Sequence, residues 1–589
     1  MKFGTKQLWF ASFTAVYAVL VAFIFWGTWS LSAAPVMPDC PIWHPLAFGD
    51  NVAKYGRDWL ATGLFVPGDI THFIGTPYVW QEAQYALAGY FAALGLAYFL
   101  KGRSLSRLAS YGGGLLLALS GYWFSLFSAG HLGWFQWMTY GVFAFGLCDR
   151  AVRRNKWRHW LLLGATVAWG SFYQPDLWLL FTVFTGVYFV WCCIRERHWP
   201  NFKGAAFAAL SFFVIGGVSF YHAFTDSLAG RDQQIAESKT SSQTDADARW
   251  IFTTNWSMPP EDTLEFFIPR IHGDTSCPMT QAFGRRAGKD VKPYTGRLGR
   301  PLNASAGNYR QHSLYCGFVT CLLALVGLAF SFKNRRTDAL FFAAAALIFW
   351  LFSMGRFCEP IYRLVYVLPF GDYLRAPVKW HHLTELCLAV LAAFGIDALA
   401  RRIPHGTPIL AVLVLLGAAD LARINKLYCA PIDLSIIRAP NAPAADILKH
   451  GNGLTADFLE GGNGLTAWSF AARNIPMTGN FNDPAIRYIW LSLEQLKANP
   501  QLSAWLKSKN AQALGTYSLT QQAIRPAANG RGANTALYMI AAAPTSSSAA
   551  PFPRPKPLPL ALAILSFIGT FSAALFSICS LTKKETSHA

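Results

Sequence analysis

The chain has 589 residues, of which 53% are apolar and 15% aromatic, while only 14% are charged. Its 50 Lys and Arg against 31 Asp and Glu give a formal charge of +19. This apolarity excludes an ordinary soluble domain. The basic residues lie between apolar runs, where orientation and anionic phospholipid headgroups account for them, so nucleic acid is excluded as a partner.

The first apolar run, near Trp9 to Leu31, follows Lys2 and Lys6. It is longer than a signal-peptide core and reads as a retained span, although its Ser-Ala-Ala-Pro exit imitates a cleavage site. Apolar segments at 8–31, 84–100, 108–128, 133–148, 159–172, 177–193, 204–222, 313–331, 338–353, 378–399, 407–423 and 557–579 predict about twelve transmembrane helices, several of them short or tilted.

A cytoplasmic N-terminus puts Lys101/Arg103/Arg107, Arg150/Arg153/Arg154/Lys156/Arg158, Arg195/Arg197/Lys203, Lys333/Arg335/Arg336, Arg401/Arg402 and Lys583/Lys584 all on the inner side. The outward regions are then 32–83, 129–132, 223–312, 354–377 and 424–556.

In the first outward region, Val52, Tyr55, Trp59 and Leu60 have a helical spacing suited to the headgroup plane, with Asp50 at the start. Asp50 is either the cap of that helix or a catalytic carboxylate. Asp69, His72 and Glu82 follow. They are candidate metal ligands, but their spacing is irregular and no paired-His motif supports them. His131, beside Gly130 at a turn flanked by Trp residues, either bonds a backbone carbonyl or meets an anionic phosphate. Asp176 sits at another outward turn as a cap or a site residue.

The loop 223–312 carries Pro259-Pro260-Glu261-Asp262 ahead of an apolar pattern, where the two acids suit a helix N-terminus, and then His272. Arg285, Arg286, Lys289, Lys292, Arg297 and Arg300 follow among glycines, a composition fit for phosphate or for headgroups. Around the next outward turn come Arg356, Arg375, Lys379, His381 and His382, a density of cations and imidazoles that is costly unless it faces a polar cavity, anionic lipid or water. Lys379 can also snorkel, and Glu385, four residues after His381, is a local partner. Of the eleven Cys, Cys40, Cys277, Cys316 and Cys358 lie on or near the outer side, where a disulfide could form.

Residues 1–423 read as a transmembrane domain, 424–556 as a smaller extracytoplasmic α/β domain, and 557–589 as a last span with a cytoplasmic tail. The soluble region contains two near-copies, Gly451–Ala456 and Gly462–Ala467, too few for a solenoid. It ends in a Ser/Ala/Pro linker at 541–558.

Several outward pieces occur in an order that resembles the bacterial YfhO-type membrane proteins of the GT-C glycosyltransferase superfamily. They are Gly49-Asp50 with Gly75-Thr76-Pro77, Ser120-Gly121-Tyr122 through Gly130-His131-Leu132, Pro259-Pro260-Glu261 with Pro269 and Gly273, Tyr315-Cys316-Gly317, Ser353-Met354-Gly355-Arg356, and Leu374 through Trp380. The resemblance covers about residues 8–400. It implies a polytopic all-α GT-C-like membrane fold in the bacterial inner membrane. The implied activity is transfer of a sugar from a polyprenyl-phosphate donor to a cell-envelope glycan, lipid or protein acceptor, with Asp50 in the position of the first-loop carboxylate that acts on the acceptor.

On that reading Arg356, Arg375, Lys379 and His131 hold the donor phosphate. Inversion is expected, because no second carboxylate is identified as a nucleophile. No acidic pair stands beside Asp50, so the metal site is unknown and a divalent cation, Mg2+ or Mn2+, is only a candidate cofactor. A lipid or envelope-polymer transporter and a non-catalytic scaffold are the alternatives. The apolar middles of most spans favour a one-sided site over a transport path.

Overall fold

The computed structural model describes residues 5–28, 33–35, 77–129, 132–172, 175–200, 202–228, 243–273, 294–297, 313–334, 336–429 and 431–433. It also describes six short strands between 455 and 540, helical residues between 558 and 573, and the single positions 232, 235 and 507.

The helices in chain order are α1 (Thr5–Ile24), α2 (Pro77–Gly102), α3 (Arg107–Ala118), α4 (Gly121–Ala129), α5 (Leu132–Arg154), α6 (Trp157–Gly170), α7 (Pro175–Glu196) and α8 (Phe202–His222). They continue with α9 (Asp245–Thr253), α10 (Phe318–Lys333), α11 (Thr337–Ser353), α12 (Glu359–Tyr366), α13 (His381–Ala400) and α14 (Gly406–Tyr428). This is a polytopic α-helical membrane protein. Val19, Leu210, Phe213 and Leu416 are all more than half exposed, as side chains facing lipid should be.

The expectation of about twelve spans is revised. Among the described residues, six helices are long and apolar enough to cross a membrane, and a seventh if α11 and the bent segment after it count as one. Segment 108–128 breaks at Ser120 into helices of 12 and 9 residues. Segment 159–172 gives only the 14 residues of α6, and 313–331 starts late, at Phe318, giving the 16 residues of α10. At 1.5 Å per residue such helices rise about 14–24 Å, short of a hydrocarbon core of about 30 Å.

The most buried span is α13, with 78% of its window covered against 22% for α1. It crosses α10 at two glycines. A Cβ on Gly327 would run into the Leu391 carbonyl, and one on Gly395 into the Leu323 carbonyl, so small residues let the two backbones touch.

At one end of the bundle the basic loops converge on acids. Arg103 binds Asp149 at 2.8 Å and Asp338 at 2.6 Å, Arg195 pairs with Asp338 and Glu196, and Asp397 accepts from the Ser106 amide at 2.9 Å. Four of the clusters assigned to one side by the sequence thus share an end, and Arg401 joins it through Asp397 at 2.9 Å. At the other end, β1 (Ala33–Pro35), after α1, pairs antiparallel with β2 (Pro431–Asp433), after α14.

Further strands are β3 (Thr455–Asp457), β4 (Met477–Thr478), β5 (Arg487–Ser492), β6 (Gln512–Leu519), β7 (Ile524–Pro526) and β8 (Thr535–Ile540). They form one mixed sheet in the order β4-β3-β5-β8-β6-β7. The described part of the expected α/β domain is therefore sheet, and it includes no complete helix. Cys316 and Cys358 are free thiols, so neither serves the expected disulfide, while Cys40 and Cys277 lie outside the described residues.

Candidate functional site

At the end of the bundle opposite the Arg103 network, the short segment 252–257 and the adjoining Met258 gather residues from two other parts of the chain, 353–356 and 375–378. The Thr253 carbonyl accepts from the Ala376 amide and the Trp256 carbonyl from the Val378 amide, both at 3.2 Å. The Met258 amide donates to the Ser353 carbonyl at 2.9 Å. The turn after α11 passes so close that a Cβ on Gly355 would strike Ser257 Oγ and Pro377, and the glycine also has φ +49°. Only glycine fits that turn.

Arg356 and Arg375 meet on this segment. Arg356 Nε and Nη2 donate to the Thr254 carbonyl at 3.2 and 3.0 Å, and Nη2 also to Asn255 Oδ1 at 3.2 Å. The backbone amide of Arg356 donates to Ser257 Oγ at 3.0 Å. Its side-chain acceptors are neutral, so the guanidinium keeps its charge. Arg375 lies over the rings of Phe252 and Trp256, at 4.5 and 4.3 Å.

Lys379 is arranged differently. It forms a buried ion pair with Asp176 at the start of α7, which cancels its charge locally. Just after it, His381 and His382 are fully buried. The His381 ring packs on Phe266 at 4.4 Å, and that of His382 on Tyr122 at 4.4 Å. Glu385 accepts from the Tyr122 amide at 3.0 Å and so caps the first turn of α4. Cys316, His381 and Glu385 present donor atoms within 4.8 Å of one another, a cluster able to hold a divalent cation.

Glu261 and His272 belong to a neighbouring group on the loop before α10. Arg297 grips Glu261 through Nε at 2.8 Å and Nη2 at 2.6 Å, which holds the carboxyl down at about 2. Burial pushes the adjacent Asp262 up to about 6, partly offset by the Tyr294 hydroxyl, which donates to it at 2.9 Å. His272 Nε2 lies 3.1 Å from the Glu261 carbonyl. The Arg297 guanidinium also lies over the Phe357 ring at 4.8 Å, next to Arg356.

Asp50, Asp69, His72 and His131 lie outside the described residues. Glu82 is fully buried on α2, with the Thr28 hydroxyl beside its carboxyl. The structure therefore gathers Arg356, Arg375, Lys379, Asp176, Glu261, His272, His381 and His382 at one end of the bundle.

Sequence reasoning did not join Cys316 to His381 and Glu385, although the four-residue interval between the last two puts them on one helix face. It also missed Tyr294 as the partner of Asp262. No local signal links Asp176 to Lys379, 203 residues apart.

No family model and no curated protein matches the chain. Among solved structures, the mycobacterial arabinofuranosyltransferase AftD is similar over 90% of this chain and 40% of its own, with 13% identity and a TM-score of 0.42. The chain thus spans well under half the length of that protein. ArnT from Cupriavidus metallidurans bound to undecaprenyl phosphate is similar over 91% of this chain and 98% of its own, with 11% identity and a TM-score of 0.40. The apo form of ArnT gives 92% and 99%, with 11% identity and a TM-score of 0.41. Likeness at this level assigns no chemistry to the chain, and the functional reading rests on its own residues.

Proposed function

We propose that the chain is a membrane glycosyltransferase moving a sugar from a polyprenyl-phosphate donor to a cell-envelope acceptor at the extracytoplasmic face of the bacterial cytoplasmic membrane. The observation that carries this reading is the meeting of Arg356 and Arg375 on segment 252–257, at the end of the bundle opposite the basic loops. Along α11, Asp338 and Ser353 stand at the two ends, roughly 22 Å apart by helical rise. The sequence resemblance to GT-C proteins points the same way.

In the proposed reaction the acceptor hydroxyl oxygen attacks the anomeric carbon. The bond from that carbon to the phosphate oxygen breaks, its electron pair leaves with the phosphate, and Asp50 takes the hydroxyl proton. Arg356 and Arg375 stabilise the charge that grows on the departing phosphate, with His131 as a further donor. Lys379, paired with Asp176, holds α7 against the start of α13, and its contribution to the phosphate is through that placement. Attack opposite the leaving group inverts the anomeric centre. Both termini lie on the cytoplasmic side, where the basic loops meet anionic phospholipids.

The test uses purified wild type and Asp50→Asn in lipid vesicles, with a panel of radiolabelled polyprenyl-phosphate sugars and an envelope-lipid extract. Transfer of label by wild type, lost in Asp50→Asn at unchanged protein abundance, is the expected result. Absence of transfer by either protein across the panel would favour transport or scaffolding instead.

A further inference from the structure

We infer that Cys316, His381 and Glu385 form a binding site for zinc, or a metal of similar softness, that ties the loop before α10 to the first turns of α13. The inference is independent of the proposed transferase activity.

His381 and Glu385 are four residues apart on α13, so both project from one helix face toward the loop that carries Cys316. Cys316 Sγ lies 3.7 Å from His381 Nε2, and all three donor atoms fall within 4.8 Å of one another. Zinc bonds of about 2.3 Å to sulfur and about 2.0–2.2 Å to nitrogen or oxygen place tetrahedral ligands roughly 3.3–3.7 Å apart. The Cys316–His381 pair already has that spacing, and the Glu385 carboxylate has to move in by up to about 1 Å.

A second observation comes from Glu385. The residue is 2% exposed, and one carboxylate oxygen accepts from the Tyr122 amide at 3.0 Å. The other, Oε2, makes no close hydrogen bond among the described residues, although the Ser120 hydroxyl and the Trp123 amide lie beside the carboxyl, and His382 Nδ1 is 3.8 Å away. A carboxylate so enclosed is costly unless a charge compensates it. The nearby Lys379 is already committed to Asp176.

Charge balance selects the ion. A divalent cation displaces the thiol proton of Cys316 to solvent, and the resulting thiolate with the Glu385 carboxylate cancels the two positive charges, which leaves a neutral buried site. A thiolate and an imidazole among three protein donors suit zinc and disfavour Mg2+ and Mn2+, which prefer all-oxygen shells. The Leu314 carbonyl, which accepts from His381 Nε2 at 3.2 Å and lies 3.6 Å from Cys316 Sγ, is the adjacent oxygen able to close the fourth position once the imidazole proton moves to Nδ1, which has no hydrogen-bond partner among the described residues. The surrounding contacts fix the ligands: the Phe266 and Tyr122 rings pack on His381 at 4.4 and 5.4 Å, and the Tyr122 amide orients Glu385. Enclosure on all sides makes the site structural, with no position open to a substrate.

The experiment uses the full chain purified in detergent without chelator, loaded with zinc or cobalt(II) and washed. Metal is measured by mass spectrometry in wild type, Cys316→Ser and Glu385→Gln, the latter two being near-isosteric so that folding is retained. A monodisperse size-exclusion profile checks this for each variant. Near-stoichiometric zinc in wild type, at least a tenfold weaker retention in both variants, and a near-ultraviolet thiolate-to-cobalt band that vanishes in Cys316→Ser are expected. Wild type that retains no zinc or cobalt, or retains cobalt without the thiolate band, would overturn the inference. So would equal retention in all three proteins, or binding of Mg2+ or Mn2+ in preference to zinc.

Discussion

Lys379, at the entrance to the most buried span, is ion-paired with Asp176 at the start of α7, and both side chains are almost wholly enclosed. The pair fastens together two helices whose opposite ends carry the Arg195 and Asp397 contacts of the basic network. Asp176→Asn removes the carboxylate from a buried ammonium and is expected to cost about 3–5 kcal/mol. The double variant Asp176→Leu/Lys379→Met should lose much less than Asp176→Leu and Lys379→Met combined. Thermal unfolding of the four proteins in detergent, read as a double-mutant cycle, checks this; additivity would contradict the pairing.

Arg356 uses its planar fork on the Thr254 carbonyl and on Asn255. Lysine keeps the charge but cannot reproduce two converging N–H groups. Arg356→Lys should lower stability by about 1–2 kcal/mol and reduce sugar transfer more than tenfold under the proposed function. Thermal scans and the vesicle assay read the two effects separately, and a variant with full stability and full transfer would remove Arg356 from both roles.

Asp262 and Glu261, adjacent in the chain, titrate in opposite directions. The carboxyl of Asp262 is raised to about 6 from an ordinary 3.8, so its contribution to stability is complete below pH 3.8 and is lost as pH rises through about 6. The loss is of order 2–3 kcal/mol. Glu261, held at about 2 by Arg297, contributes above pH 4.5 and loses that contribution as pH falls through about 2. Unfolding midpoints measured between pH 4 and 8 should therefore show a decline in wild type that is flattened in Asp262→Asn. An identical slope in both would show that another group titrates.

The crossing of α10 and α13 depends on two glycines in backbone contact. Gly327→Val is expected to push the helices apart and to destabilise by about 1–3 kcal/mol, because the added side chain meets the Leu391 carbonyl and not a movable side-chain tip. Gly186→Ala, where nothing lies within 4 Å of the added Cβ, is the control expected to leave the unfolding temperature unchanged or raised.

Apolar runs made the membrane class legible without a structure, and the Lys and Arg between them foretold which loops share an end. Span number was less legible. Hydropathy does not register the break at Ser120 or the late start of α10 after Gly317, whose φ of +94° is set by the local backbone. Arg356, Arg375, Lys379 and the two histidines stood out because charge and imidazole are rare at a span entrance. Their partners did not, because Asp176, Thr254, Cys316 and Phe266 reach them only through the packing of helices distant in the chain.

Composition and periodicity by themselves determined that the chain threads a membrane and that its polar chemistry collects at or beyond the ends of the apolar runs. Both follow from the cost of leaving polar groups in hydrocarbon. Only the tertiary structure decided which cation is neutralised and which keeps its charge. Lys379 is cancelled by Asp176, while Arg356 meets the neutral Thr254 and Asn255 oxygens. The sequence records charges in order, but their effect depends on distance and on the dielectric between them, which folding alone sets.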